Sequence, residues 1–244
     1  MAQLSLHHSR TLTHHIAQAD AWLALSSDGM NTVPLGYAAL ELRYAIERLA
    51  VHYWAGLVAG TQDEAELLAI GSFNKIEARI YELAGHQRQI DRALAFAQLL
   101  CGLLGIVVPQ GRPSMPTLRK HWHTCSEVCH IGWALVAPEA PVGVDTYKEL
   151  RSAHADVLEM ANGYNAMPRL NNPGLHALQR GYIEGTVSDD DVRSYVAREG
   201  LKAEYIPPGA SAGTPIGKAI PSNSEIATMQ SKLRQAGGSQ ASDA

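Results

Sequence analysis

The spacing of apolar residues through the first two-thirds of the chain follows a helical period almost without interruption. Leu12, Ile16, Ala19 and Leu23 predict a helix from about Arg10 to Ser26, which "SSDGMNTVP" then punctuates. Leu42, Ile46, Leu49, Tyr53 and Leu57 form one stripe and predict a second helix from Leu35 to about Leu57. Between residues 70 and 106, Ile76, Ile80, Leu83, Gln87, Ile90, Leu94, Ala97, Cys101 and Leu104 keep one phase across Gly85. That continuity predicts a single long helix with a weak spot at the glycine. Ser114 or Thr117 is placed to cap a helix running to about Val136, and "APEAPVG" separates it from another over Val144 to Gly163. With almost no strand signal, the expectation is an all-α bundle of about five helices over residues 1–165.

The texture changes near Asn162. After the turn-rich "NGYNAMPRLNNPG", a short helix is expected at about Leu175–Glu184. In "SDDDVRSYVAREGL", Ser188 is an N-cap, Asp191 completes a capping box and Gly200 is a stop. Residues 166–205 therefore read as a small helical appendage. From Ile206, the Pro/Gly/Ala/Ser composition predicts a linker and tail over 206–244, with "EIATMQSKLRQ" transiently helical and "AGGSQASDA" disordered.

Composition narrows the function classes. A net charge of −4 argues against a protein built around broad phosphate contact, although a local basic site is compatible with it. Three cysteines cannot all pair with one another, the first twenty residues lack an apolar signal core, and "LLCGLLGIVV" is too short to span a bilayer. A cytoplasmic protein without a membrane association is the expectation. The chain contains no phosphate-binding glycine loop, no dinucleotide fingerprint, no H-E-x-x-H and no G-x-S-x-G, so no cofactor is expected and the common classes carrying those motifs are disfavoured.

The densest chemistry lies in "HTCSEVCH", His123 to His130. On a helix, Cys125 and Cys129 share the apolar side with Leu118, Trp122, Trp133 and Val136, where small thiols pack. A zinc site would need His121, Cys125 and Cys129, but these are spread along about 12 Å of axis, so no metal site is expected. Arg119, His123, Ser126 and His130 fall on another stripe roughly 60° wide, with Glu127 at its edge. Two imidazoles and a guanidinium suit acid–base cleavage of a phosphodiester: Arg119 would neutralise the phosphorane, with His123 and His130 as acid and base. A solvated helix face, or histidines bonded to a neighbouring helix, explains the same letters. On the second helix Glu41, Arg48 and His52 form a supporting polar stripe, and Arg43 and Glu47 a separate i, i+4 pair; structural ion pairing is the competing account. His7 with His14 and His8 with His15 pair at two-turn spacing without implying function.

"LELRYAIERL" on the second helix and "SEVCH" on a later one together make residues 10–165 resemble HEPN-type domains, in which an E-x-R…E helix precedes a helix bearing S-E-x-x-H. The matching positions are Glu41, Arg43, Glu47, Ser126, Glu127 and His130. The resemblance implies a helical domain, commonly a homodimer. In active members this is a metal-independent ribonuclease of bacterial stress or phage-defence systems, with RNA or a nucleotide as partner. Inactive members bind nucleotides or act as adaptors. The rival expectation is a non-enzymatic helical interaction module that dimerises through the second helix, its polar stripe serving solubility or pairing. Active members carry R-x4–6-H. Formal matches here are Arg10/His15, Arg79/His86 and Arg169/His176, whereas Arg119/His123 and Arg48/His52 are each one residue too close.

Overall fold

The structure, a computed structural model, describes residues 11–58, 73–107, 113–130, 142–165, 169–170, 174–205 and 216–238. Among these the chain is mostly helical, with one small sheet, so the all-α expectation is met. No helix among the described residues is long and apolar enough to cross a membrane. The chain divides into two compact units: Met1–Asp91 with Gln110–Tyr164, and Arg92–Pro109 with Asn165–Ala244.

In the first unit, α1 (Leu12–Leu25) starts where Thr11 Oγ1 accepts the His14 amide at 3.2 Å. It ends in a turn in which Ser27, Asp28 and Gly29 all take positive φ. Gly29 meets Gly143 backbone to backbone there, and a Cβ on either glycine would fall inside contact distance of the other's carbonyl. Next comes α2 (Val33–Val58), which buries Leu42, Ile46, Leu49 and Tyr53 as its stripe predicts.

The helix expected over 70–106 is two helices: α3 (Phe73–Gly85) and α4 (Gln87–Leu103), parted by a turn at His86. The reason lies in what each half buries. Ile80, Leu83 and Ile90 belong to the core of the first unit, whereas Phe96, Leu100, Cys101 and Leu104 belong to that of the second. An unbroken apolar phase therefore serves two cores. Gln87, counted in that phase, does polar work. Its Oε1 accepts the Met115 amide at 2.7 Å, and its Nε2 donates to Pro113 O at 2.9 Å and to Asp91 Oδ1 at 2.8 Å.

These bonds hold the start of α5 (Met115–Cys129), where Ser114 Oγ accepts the Thr117 amide at 3.2 Å. The helix does not continue to Val136 as expected. His130 already has an extended backbone (φ −80°, ψ 123°), and residues 131–141, including Trp133, lie outside the described residues. The last helix of this unit, α6 (Val142–Asn165), packs Leu150, Ala153, Val157 and Met160 into the same core. It is pinned to α1 by Arg151 Nη1 donating to Asp20 Oδ1 at 2.6 Å.

The second unit takes the C-terminal part of α4, a stretch that the sequence pattern assigns to the bundle, and adds α7 (Leu175–Glu184) and α8 (Asp189–Glu199). The Ser188/Asp191 capping box forms as predicted, and Gly200 ends α8 at φ 77°. The expected linker contains more structure than its composition suggests. Strand β2 (Leu201–Tyr205) lies between β1 (Arg169–Leu170) and β3 (Ile216–Ile220), antiparallel to both. Leu201 and Ala203 alternate into the second core, while β3 is held mainly by its ladder, with Ile220 alone of its apolar side chains packed, partly buried, against that core. Lys218 on β3 donates to Leu104 O at 3.3 Å and Gly105 O at 3.1 Å, placing a cation on the open carbonyls that end α4. After β3, α9 (Asn223–Gly238) begins with a second capping box: Ser222 Oγ accepts the Glu225 amide at 3.2 Å and Glu225 Oε2 accepts the Ser222 amide at 2.7 Å. Of the tail expected to be disordered from residue 236, the first three residues belong to α9; the segment 206–215 and the last six residues fall outside the described residues.

Candidate functional site

The polar side chains singled out by sequence converge on α2 and α5, where the fold sorts them into four places. Viewed down α2 at 100° per residue, the core row of Leu42, Ile46, Leu49 and Tyr53 is flanked on each side by a polar row. Glu41, Arg48 and His52 share one flank, and Arg43 and Glu47 the other.

On the first flank Glu41 is buried and Oε2 lies 2.6 Å from Nδ1 of the equally buried His15 on α1. This is a packed ion pair or hydrogen bond between helices, so Glu41 is engaged in joining α1 to α2. His52 is half-buried with its ring edge-on to Tyr164 at 4.8 Å, and burial, helped by the nearby Arg48 charge, lowers its pKa. Burial and the neighbouring Tyr164 likewise push the Tyr53 hydroxyl far above the usual phenol range.

On the second flank the expected i, i+4 pair is present and buried. Arg43 Nε donates to Glu47 Oε1 at 3.1 Å, and Trp122 Nε1 donates to the same oxygen at 3.2 Å. The Arg43 guanidinium also lies over the Trp122 ring, 5.2 Å from its centroid. Arg43, Glu47 and Trp122 thus form one node joining α2 to α5. Below it Cys125 is buried and Cys129 half-buried, and burial raises the pKa of both thiols. A buried, protonated thiol is a packing group and a poor metal ligand or nucleophile. His121, the remaining candidate ligand, points elsewhere: its Nε2 is 2.7 Å from Asp156 Oδ2 on α6. Among the described residues no three such groups are gathered around a position where a metal ion would sit.

The candidate catalytic stripe on α5 divides. Arg119, His123 and Glu127 remain on the exposed face, with His123 Nε2 3.3 Å from Glu127 Oε1 and Arg119 over the Tyr81 ring of α3 at 5.5 Å. Ser126 does not join them. It is buried, and its Oγ finds no hydrogen-bond partner among the described residues. His130 is exposed but has left the helix, so the regular alignment with His123 is lost. Both corrections have one physical cause: a stripe drawn 60° wide on a helix assumed to run to Val136 straddles the burial boundary and overruns the helix end. Of the R-x4–6-H matches, Arg79 and His86 are both brought against Trp54, at 5.4 Å each; Arg79 also donates to Glu82 Oε2 at 2.9 Å. Arg169 and His176 lie in different elements, β1 and α7, and Arg10 is outside the described residues.

A further feature escaped the search for polar chemistry. Directly opposite the core row, Val33, Tyr37, Leu40, Tyr44 and Val51 fall within about 60° of arc on the outer side of α2. Apart from the half-buried Leu40 they are exposed, as are Leu25 and Met30 in and after the end of α1; the six exposed side chains are between 37% and 81% accessible. Tyr37 stacks on Trp22 of α1 with ring centroids 4.9 Å apart, so the row is continuous with α1. A solvent-facing side of a bundle helix ordinarily carries charge; this one does not until Arg48 at its rim. Its signal is an apolar residue every three or four positions in a second phase, at Val33, Tyr37, Leu40 and Tyr44. His15 and Asp156 were also missed. The first shares a face with Leu12, Ile16 and Ala19, a legible sign of burial, whereas the second meets a partner 35 residues distant that no local pattern announces.

No family model, no curated protein and no solved structure matches this chain.

Proposed function

We propose that the chain is a non-enzymatic helical interaction module that presents the outer row of α2, extended by Leu25 and Met30, to a protein surface. The observation carrying this reading is the uncharged, exposed row itself, which costs solubility unless another surface covers it. The polar residues support the reading by what they do already. Glu41 is bonded to His15, Glu47 to Arg43 and Trp122, and His121 to Asp156, so each holds helices together. Three unpaired cysteines suit a reducing cytoplasm. Hydroxyl-radical footprinting tests it. Met30, Tyr37 and Tyr44 should be labelled several-fold less in intact cells than in dilute purified protein. Equal labelling removes the reading.

A second reading is favoured by a separate observation, the exposed Arg119 seated on Tyr81 with His123 one turn further along α5. In it the chain is an HEPN-like, RNA- or nucleotide-directed protein of bacterial stress or phage defence. Tyr81 offers a ring for a base, Arg119 a charge for a phosphate, and His123 a base for the 2′-hydroxyl, with His130 as the acid. Incubation of the purified chain with total RNA in EDTA decides it: this reading requires cleavage that falls at least tenfold in His123→Ala or His130→Ala. No cleavage, or cleavage indifferent to both substitutions, ends the ribonuclease reading.

A further inference from the structure

Resting on the interaction-module reading, we propose that the surface covering this row is a second copy of the same chain, with the two α2 helices antiparallel across a two-fold axis at Tyr44.

The spacing of the row is what selects this partner. Tyr37, Tyr44 and Val51 recur every seven residues, with Leu40 between the first two, so the row runs almost straight along the helix as a coiled-coil seam does. Equal steps on either side of Tyr44 make the row self-complementary under a two-fold rotation, which is the requirement of an isologous interface. Tyr37 then faces Val51 of the second copy, and Tyr44 faces its own equivalent. Val33 meets Ala55 of the second copy, a small residue that leaves room for the Met30 and Leu25 end to extend the contact.

Helix polarity favours the antiparallel pair: the positive N-terminal end of each α2 dipole then lies beside the negative C-terminal end of the other, whereas a parallel pair sets like ends together. Arg48 lies at the rim of the row, so the pair contains two such guanidinium groups on one side of its seam. In the antiparallel pair the two lie about 12 Å apart along the axis, beyond the screening length of about 8 Å at physiological salt, each beside Leu40 of the other copy. There the aliphatic stem of Arg48 can cover the leucine while the guanidinium stays in water. The area is also sufficient. The exposed parts of Leu25, Met30, Val33, Tyr37, Tyr44 and Val51 amount to about 700 Å², close to the ~800 Å² that each partner gives to a stable interface of standard size. Both tyrosines can keep their hydroxyls at the wet rim while burying their rings.

Sedimentation velocity of the full chain over a hundredfold concentration range should show conversion to a species of twice the 26.3 kDa chain mass. Tyr44→Glu, which brings two carboxylates together at the axis, should leave a monomer at every concentration, with its far-UV circular dichroism unchanged. Disulfide trapping reads the register independently. Under mild oxidation Tyr44→Cys should cross-link to its equivalent, whereas Tyr37→Cys, about 21 Å from its equivalent along the axis, should cross-link no more than the native chain. Double substitution of Tyr37 and Val51 by cysteine should restore the link. A native chain that stays monomeric, a dimer indifferent to Tyr44→Glu, or equal trapping of the Tyr37→Cys and Tyr44→Cys variants would each overturn the proposal. A monomer whose Tyr37 and Tyr44 are nevertheless protected in cells overturns the self-pairing alone and leaves the module reading standing.

Discussion

Glu47 Oε1 receives two hydrogen bonds inside the bundle, one from Arg43 and one from Trp122, and this sharing sets the cost of losing it. Glu47→Ala leaves a guanidinium against an indole with its carboxylate removed, so roughly 3 kcal/mol of stability should disappear in urea unfolding. Replacing the exposed Glu127, which meets His123 in water, should change stability by no more than about 0.5 kcal/mol. His52 gives a pH signature. Its pKa is held below the ordinary imidazole value of 6.5 by burial first and Arg48 second. The unfolded chain therefore binds more protons than the folded one as pH falls from above 6.5 toward the lowered folded value, and stability should decline through that window. His52→Phe should flatten this part of the profile of Tm between pH 7.5 and 5.5; an unchanged slope would show that His52 is not its source.

Single elements were legible to very different degrees, for physical reasons that differ from one to the next. Capping chemistry is local, and so the Ser188/Asp191 box was readable from four residues. The same grammar stands in "SNSE", where Ser222 and Glu225 begin α9, a helix expected only as a transient one over "EIATMQSKLRQ" because its exterior is polar. Ser222→Ala should cost that helix about 1 kcal/mol, seen as faster amide exchange over residues 226–232. The break at His86 was unreadable because Gly85 lies within a continuous apolar phase; only the assignment of Ile90 and Phe96 to different cores explains it. Strand β3 is five residues long, weakened by Gly217 and Ala219, and buries no more than part of Lys218 and Ile220, so its existence depends on β2, which no local pattern encodes. For the candidate site, the helical phase placed Cys125 in the core and Arg119 and His123 outside. It failed for Ser126 and His130, where burial changes over one residue and the helix stops.

At the scale of the molecule, two cores divide the chain, and α4 contributes to both. Leu100→Ala, deep in the second core, should cost about 2–5 kcal/mol there. Amide exchange should rise in α7 and α8 far more than in α1 and α2; a uniform rise would show that the two cores unfold as one. The second unit is also assembled from pieces that are distant in sequence. During synthesis Phe96, Leu100, Cys101 and Leu104 leave the ribosome well before Leu175, Val192, Val196 and Leu201, the residues that bury them. At translation rates of about 5–20 residues per second, this apolar surface stands uncovered for roughly 5–20 s while the intervening helices of the other unit are made. Far longer than helix formation, that interval makes nascent chains of this protein, arrested between α4 and β2, the species most prone to aggregate and most in need of a chaperone.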